Sequence, residues 1–267
     1  MSALPASQYK ELNCAQCRAG AGLDFDFSFA FQPIVNARQR CVIAYEALVR
    51  GAQGEPAHTV LAKIDDRNRY AFDQACRVKA IALASRLGMT TRLNINFFPN
   101  AIYRPELCIR TTLEAAKTYG FPIENLTFEF LESERAPDIE HLRTVVESYQ
   151  RLGFQTALDD FGTGNSNLYL LADFKPDKIK IDRILLQNID GNANRQIIVR
   201  GIIETAAQLG IEVVAEGVET HNEYVWLLQA GIENFQGYYF GRPAFEQLIS
   251  IDNELFGTTQ IHQHSTR

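Results

Sequence analysis

Glu46, Asn96, Glu129, Asp159, Asp160, Lys180 and Glu216 are the residues of this 267-residue chain whose types could do chemistry together. Five of them are carboxylates, one an amide and one an ammonium. Carboxylates gathered at one place repel one another and take up protons unless cations neutralise them. Hard oxygen donors with an amide oxygen suit Mg²⁺ or Mn²⁺ rather than a thiolate-seeking metal. The adjacent pair Asp159-Asp160 lets one carboxylate bridge two ions, an arrangement that serves the hydrolysis of phosphate esters. Lys180 beside such a cluster would stabilise charge or move a proton; the plainer alternative is a salt-bridged structural lysine. Taken singly, an acidic residue at a strand end is more often a helix cap or a solvated loop charge. Only the whole set points to a site.

Convergence requires a scaffold that delivers these positions to one rim. Phe25, Phe27, Phe29 and Phe31 alternate with other residues, the period of a strand. Cys41–Leu48 reads as a second strand, and the Asn36–Arg40 link is too short for a helical crossover, so the two should pair antiparallel. Thereafter strands and helices alternate. Strands are predicted at Thr91–Phe97, Leu126–Leu131, Phe154–Asp159, Asp177–Ile181, Ile211–Glu216 and Glu233–Gly237. Helices are predicted at Asp66–Leu87, Glu106–Tyr119, Pro137–Leu152, around Asn167–Ala172, at Asn194–Leu209, at Thr220–Ala230 and from Phe245 onward. Most of these helices stop at a glycine (Gly88, Gly120, Gly153, Gly210, Gly231), the residue that most easily turns a helix end. Eight strands, with helices after the second through the eighth, close most naturally into an α/β barrel of the TIM-like (β/α)8 kind with an antiparallel first strand; an open doubly wound sheet is the competitor. In such a barrel the carboxyl ends of the strands carry the chemistry, and Glu46, Asn96, Glu129, Asp159-Asp160, Lys180, Glu216 and Gln236 all fall there. The expected organisation is an N-terminal segment over 1–23, the barrel over 24–256 and a frayed tail over 257–267.

Composition excludes several classes. With 26 Lys+Arg against 32 Asp+Glu, the formal charge is −6, unfavourable for a sequence-independent DNA binder. The 46 % hydrophobic content argues against disorder. No run of about 18 apolar residues offers a membrane span, and the start lacks the pattern of a signal peptide. Five scattered cysteines read as reduced thiols of a cytoplasmic protein. Cys14-x-x-Cys17 could be half a zinc site or a redox pair; two ordinary thiols is the plainer reading. Asp160-Phe161-Gly162 has the letters of a kinase motif, but no glycine-rich nucleotide loop or His-Arg-Asp loop accompanies it.

Several motifs together resemble the EAL domain of cyclic di-GMP phosphodiesterases. They are YEALVRG around Glu46, LNINF around Asn96, FEFLE with Glu129 and Glu132, DDFGTG from Asp159, Lys180-Ile181-Asp182, AEGVE from Ala215 to Glu219, and Gln236-Gly237 within FQGYYFGRP. The resemblance spans Phe25 to Phe245. It implies a bacterial enzyme that hydrolyses cyclic di-GMP to linear pGpG with two divalent cations, Mg²⁺ or Mn²⁺, and a role in biofilm and motility signalling. By the same resemblance, Glu46, Asn96, Glu129 and Asp159 would hold the first ion, and Asp159, Asp160 and Glu216 the second. Lys180 would sit near the attacking water, and Glu216 would serve the reaction as well as the metal. Gln32, Arg50, Asp182 and Gln236 would contact substrate or position neighbours. Glu132 would anchor the glycine loop and Glu219 would support the ligands from behind. Leu131 departs from the family's threonine and has no hydroxyl with which to couple Glu132 to that loop, and Asn165 replaces a more usual aromatic. The alternative function is a non-catalytic cyclic di-GMP receptor or interaction module. The family also implies a homodimer, and with no sensor domain in view, control by expression, dimerisation or a separate regulatory protein.

Overall fold

The computed structural model describes residues 23–98, 108–131, 139–163 and 168–257. Eight strands close into a barrel: β1 Phe27–Asn36, β2 Cys41–Gly51, β3 Arg92–Phe97, β4 Leu126–Leu131, β5 Gln155–Phe161, β6 Lys178–Ile181, β7 Glu212–Ala215 and β8 Asn234–Gln236. Strands β2 to β8 run parallel in chain order, and β1 closes the ring by pairing antiparallel with both β2 and β8. The tight Ala37–Arg40 turn forces that antiparallel pairing, because a parallel return needs a crossover. The open doubly wound alternative is thereby excluded.

Helices cover the ring: α1 Ala57–Leu61, α2 Arg69–Arg86, α3 Arg110–Tyr119, α4 Ile139–Arg151, α5 Leu170–Asp173, α6 Arg183–Leu186, α7 Ala193–Leu209 and α8 His221–Gln229. The glycines read as helix stops all have positive φ, from 65° at Gly120 and Gly210 to 106° at Gly231. Helix α8 starts on a capping box in which Thr220 and Glu223 each satisfy a backbone N–H of the other's end. The apolar core lies between helices and strands, where Phe31, Leu93, Ile95, Phe128, Phe130, Leu158, Ile179, Ile181 and Phe235 are buried. Strand alternation sends the intervening residues into the barrel, where Ile34, Ala44 and Val214 form a small separate apolar cluster. Below them Asn36 donates to Asn234 at 2.8 Å, and Glu212 accepts from Asn234 at 2.5 Å and pairs with Lys178 at 2.8 Å. This polar network closes the amino end of the barrel, opposite the site.

The end of the chain differs from the expected final helix. Ala244–Phe245 forms a two-residue strand, β9, antiparallel to Ala30–Phe31 of β1, followed by a 3-10 turn at Asn253–Phe256. The reason is a shortage of partners on β1. Strand β8 is only three residues long and reaches Ile34–Asn36, so the buried amino half of β1 needs another edge. Glu246 completes the patch by donating its backbone N–H to the Phe29 carbonyl at 2.9 Å. Cys14, Cys17, Glu132, Gly164, Asn165 and the side chain of Leu131 lie outside the described residues. Among the described cysteines, Cys41 is exposed, Cys76 and Cys108 are buried, and all are free thiols. No helix among the described residues is long and apolar enough to cross a membrane.

Candidate active site

Register decides which side chains meet at the carboxyl rim. Glu46 on β2 stands beside Asn94 on β3, and Asn96 beside Glu129 on β4, so these inward-facing residues lie in successive layers of one surface. Strand β5 would normally send Asp159 and Asp160 to opposite faces. A bulge prevents this: Leu158 pairs with Ile179 and Phe161 with Ile181, so two β5 residues stand against Lys180 alone. Asp160 takes φ of +54°, sparsely populated for a residue with a side chain. Gly162 follows at φ +99°, where any Cβ would also collide with Leu185. The bulge turns both aspartates toward one point.

Two groups of carboxylates result, each with oxygens within 4.8 Å of one another: Glu46, Glu129 and Asp159, and Asp159, Asp160 and Glu216. Asp159 belongs to both. Lys180 stands between them with Nζ 3.1 Å from Glu46, 3.0 Å from Glu129, 3.0 Å from Asp159 and 3.5 Å from Glu216. Amides orient the acids: Asn96 donates to Glu46 Oε1 at 2.8 Å, Asn94 to Glu129 Oε1 at 2.6 Å, and Gln236 to Glu46 Oε2 at 2.6 Å. Gln236 also donates to Gln32 Oε1 at 3.2 Å.

Charge is unbalanced here. Burial opposes ionisation of Glu46, but the Lys180 ammonium and the two amide donors, Gln236 and Asn96, hold its carboxyl below the ordinary range. Burial raises Glu129 and Glu216 well above it, with further increments from neighbouring carboxylates. Asp160 is pushed up to about 6, by burial first and then by Asp159 and Asp182. Burial disfavours the charged lysine, yet the surrounding acids outweigh it and keep Lys180 firmly protonated. With all five carboxylates ionised, as metal binding requires, one ammonium leaves four negative charges, which two divalent cations would balance. Asp159 Oδ1 and Glu216 Oε2 are buried with no hydrogen bond of acceptable geometry, although both face the ammonium. Orphaned acceptors, hard oxygen donors and excess negative charge fit divalent metal ions of the Mg²⁺ or Mn²⁺ type.

Two cavities flank the cluster. One, of about 330 Å³, runs from Glu46, Asn96 and Asp159 to an apolar wall of Phe29, Phe72 and Phe98, with Arg50 on its lining. The other, of about 220 Å³, is lined by Gln32, Asp182, Arg183, Glu219 and Tyr238. Glu216 lines both. Arg50 donates to the carbonyl of Val49 at 2.7 Å, Asp182 caps α6 by accepting from Ile184, and Glu219 pairs with Arg183 at 3.0 Å. Gln32 donates to the Gly241 carbonyl at 3.2 Å. Asn94 and Arg183 were not anticipated from sequence. Asn94 was detectable, since it lies two residues before Asn96 and therefore shares its face.

The EAL domain family model matches residues 21–243. The chain belongs to the EAL domain family. A standalone versatile EAL protein from Vibrio cholerae O395, solved in its c-di-GMP bound form, is 56 % identical with a TM-score of 0.85, covering 88 % of this chain and 99 % of that one. BlrP1 of Klebsiella pneumoniae, solved as a manganese/cy-diGMP complex, is 35 % identical with a TM-score of 0.79, over 84 % of this EAL chain and 57 % of BlrP1. The cyclic di-GMP phosphodiesterase PA2567 of Pseudomonas aeruginosa is 36 % identical over 236 residues, 85 % of this chain and 40 % of that protein. Among the first curated relatives it matches, this EAL chain spans from 26 % to 56 % of their length.

Proposed function

We propose that this EAL protein is a metal-dependent phosphodiesterase that hydrolyses cyclic di-GMP to linear pGpG. The observation that carries the reading is the pair of carboxylate groups that share Asp159 around Lys180. Glu46, Asn96, Glu129 and Asp159 would hold one cation, and Asp159, Asp160 and Glu216 the other. Asn96 commits its amide nitrogen to Glu46, which leaves its carbonyl oxygen to serve as a ligand. When bound, two such cations would acidify the attacking water and neutralise charge on the attacking and leaving oxygens. The water oxygen forms the new bond to phosphorus, the bond from phosphorus to a ribose 3′ oxygen breaks, and that oxygen leaves with a proton. Lys180 supplies a fixed positive charge, held at the focus of the cluster, for the phosphate oxygens. Glu216, which lines both cavities, lies where the scissile phosphate would pass between them. Two cavities on either side of an acidic centre suit a ligand with two bases and a phosphate between. Gln32, Arg50 and Asp182 line them as substrate contacts, while Gln236 sets Glu46, and Glu219 sets Arg183.

Purified protein incubated with cyclic di-GMP and Mn²⁺ is expected to release pGpG. Tight binding of the dinucleotide without turnover at any pH or metal concentration would make it a receptor and overturn the reading. Ligand carboxylates must be deprotonated, so the rise in melting temperature produced by Mn²⁺ should be larger at pH 8 than at pH 5, below the value near 6 for Asp160. The homodimer is proposed on a separate observation. Leu168 and Tyr169, beyond the glycine loop, and Ile184, Ile197 and Ile198, on α6 and α7, are all at least half exposed, a surplus of large apolar side chains on one stretch of chain. Sedimentation showing only monomer at micromolar concentration would remove it.

A further inference from the structure

A buried ion pair outside the barrel reaches the site through the backbone of β3. Asp73 and Arg77, one turn apart on α2, are 1 % and 0 % exposed and lie 2.6 Å apart. Arg77 is enclosed by aromatic rings, with Phe97, Phe128 and Tyr149 centroids 5.7, 5.2 and 5.8 Å from its guanidinium carbon, and it donates to the Tyr149 hydroxyl at 2.9 Å. An ion pair this dry adds little to stability compared with apolar residues of the same size, so its benefit lies elsewhere. The second oxygen of Asp73 supplies one. It accepts the backbone N–H of Phe98 at 3.1 Å, just past the last residue of β3. Asn96 is two residues upstream of that bond and donates to Glu46. Asp73 also lines the larger cavity beside Asn96 and Phe98.

The geometry points to Asp73 as a positioning residue: held by Arg77, which Tyr149 fixes in turn, it clamps the end of β3 so that Asn96 and Glu46 face the metal position together. The inference rests on the proposed metal-dependent reading and extends it to a residue that is not itself one of the metal ligands. Removing groups that orient ligands typically weakens metal affinity by 10-fold or more.

The test is titration calorimetry with Mn²⁺ alone on the full chain, with melting temperature read in parallel. The triple variant D73L/R77M/Y149F removes the clamp and leaves no buried charge unpaired. It is expected to melt near the wild-type temperature but to bind Mn²⁺ about tenfold more weakly. D73N/R77M/Y149F keeps an acceptor for Phe98 with no guanidinium facing the amide and should hold affinity to within about threefold of wild type. Wild-type affinity in the D73L triple variant, or equal losses in the D73N and D73L triple variants, would overturn the inference. Should either triple variant not fold, Asp73→Glu decides. It keeps the charge facing Arg77 but lengthens the arm to Phe98, so weakened Mn²⁺ binding supports the clamp and unchanged binding refutes it. A wild-type chain that shows this contrast but cleaves no cyclic di-GMP would sink the proposed reaction and leave the role of Asp73 standing; one that binds no Mn²⁺ would remove both.

Discussion

Asp159→Asn should lower the rate of cyclic di-GMP hydrolysis by at least about 10³-fold while making the metal-free protein melt about 2–4 °C higher. The two effects have one cause. Asp159 is the carboxylate common to both groups, so its loss removes an anionic donor from each metal position at once. A thousandfold loss is about 4 kcal/mol of transition-state stabilisation, within the range for removing a preorganised charge from such a site. Without metal, the same carboxylate adds to the repulsion that pushes Glu129, Glu216 and Asp160 up. Replacing it by a neutral amide of similar shape relieves that repulsion, and about 1 kcal/mol of relief moves the midpoint of a protein this size by the stated few degrees. Steady-state kinetics with Mn²⁺ and thermal melts in a chelator check the two halves. An unchanged rate would show that Asp159 is no shared ligand, and a lower metal-free midpoint would show that the cluster is not strained by its own charge.

Lys180→Met should act in the opposite sense on stability. Its ammonium faces four carboxylate oxygens at 3.0 to 3.5 Å in a position 1 % exposed. Removing one partner of a buried ionic network typically costs about 3–5 kcal/mol, because the remaining charges lose their compensation. The metal-free variant should therefore melt well below wild type and recover part of the difference on adding Mn²⁺. Its pH dependence has a definite sign. Glu129, Glu216 and Asp160 have raised affinities for protons in the fold, so the folded state binds more protons than the unfolded one through the acidic range, and stability falls as pH rises. Without Lys180 that fall should steepen, and the metal-free variant should be more stable near pH 5 than near pH 8. Catalysis should drop by about 10²–10³-fold even at saturating metal, the usual loss when one preorganised positive group is taken from a phosphate-facing site. A variant that melts lower but keeps its catalytic rate would return Lys180 to the status of a salt-bridged structural lysine, and one that keeps its melting temperature would show that the ionic network does not hold the fold.

The residues at the strand ends were legible in the chain itself. Alternation with period two sets which side chains face inward, and parallel strands separated by helices present all their carboxyl ends to the same rim. Glu46, Asn96, Glu129, Lys180, Glu216 and Gln236 therefore could be assembled on paper, and so could the antiparallel closure of β1, from a link too short to cross the sheet. Three things were settled only by the folded molecule. The bulge at Asp159-Asp160 depends on register against β6, and without it two adjacent aspartates would point to opposite faces. Strand β9, in place of the helix expected from Phe245, answers a vacancy on β1 that exists only once β8 proves too short to fill it. The contacts from Gln236 to Glu46, 190 positions apart, and from Asp73 to the backbone of Phe98 join elements that share no local pattern. Periodicity and turn chemistry are local properties, carried by each segment alone, whereas register, strand length and hydrogen-bond partnership across the barrel exist only after the chain has closed on itself.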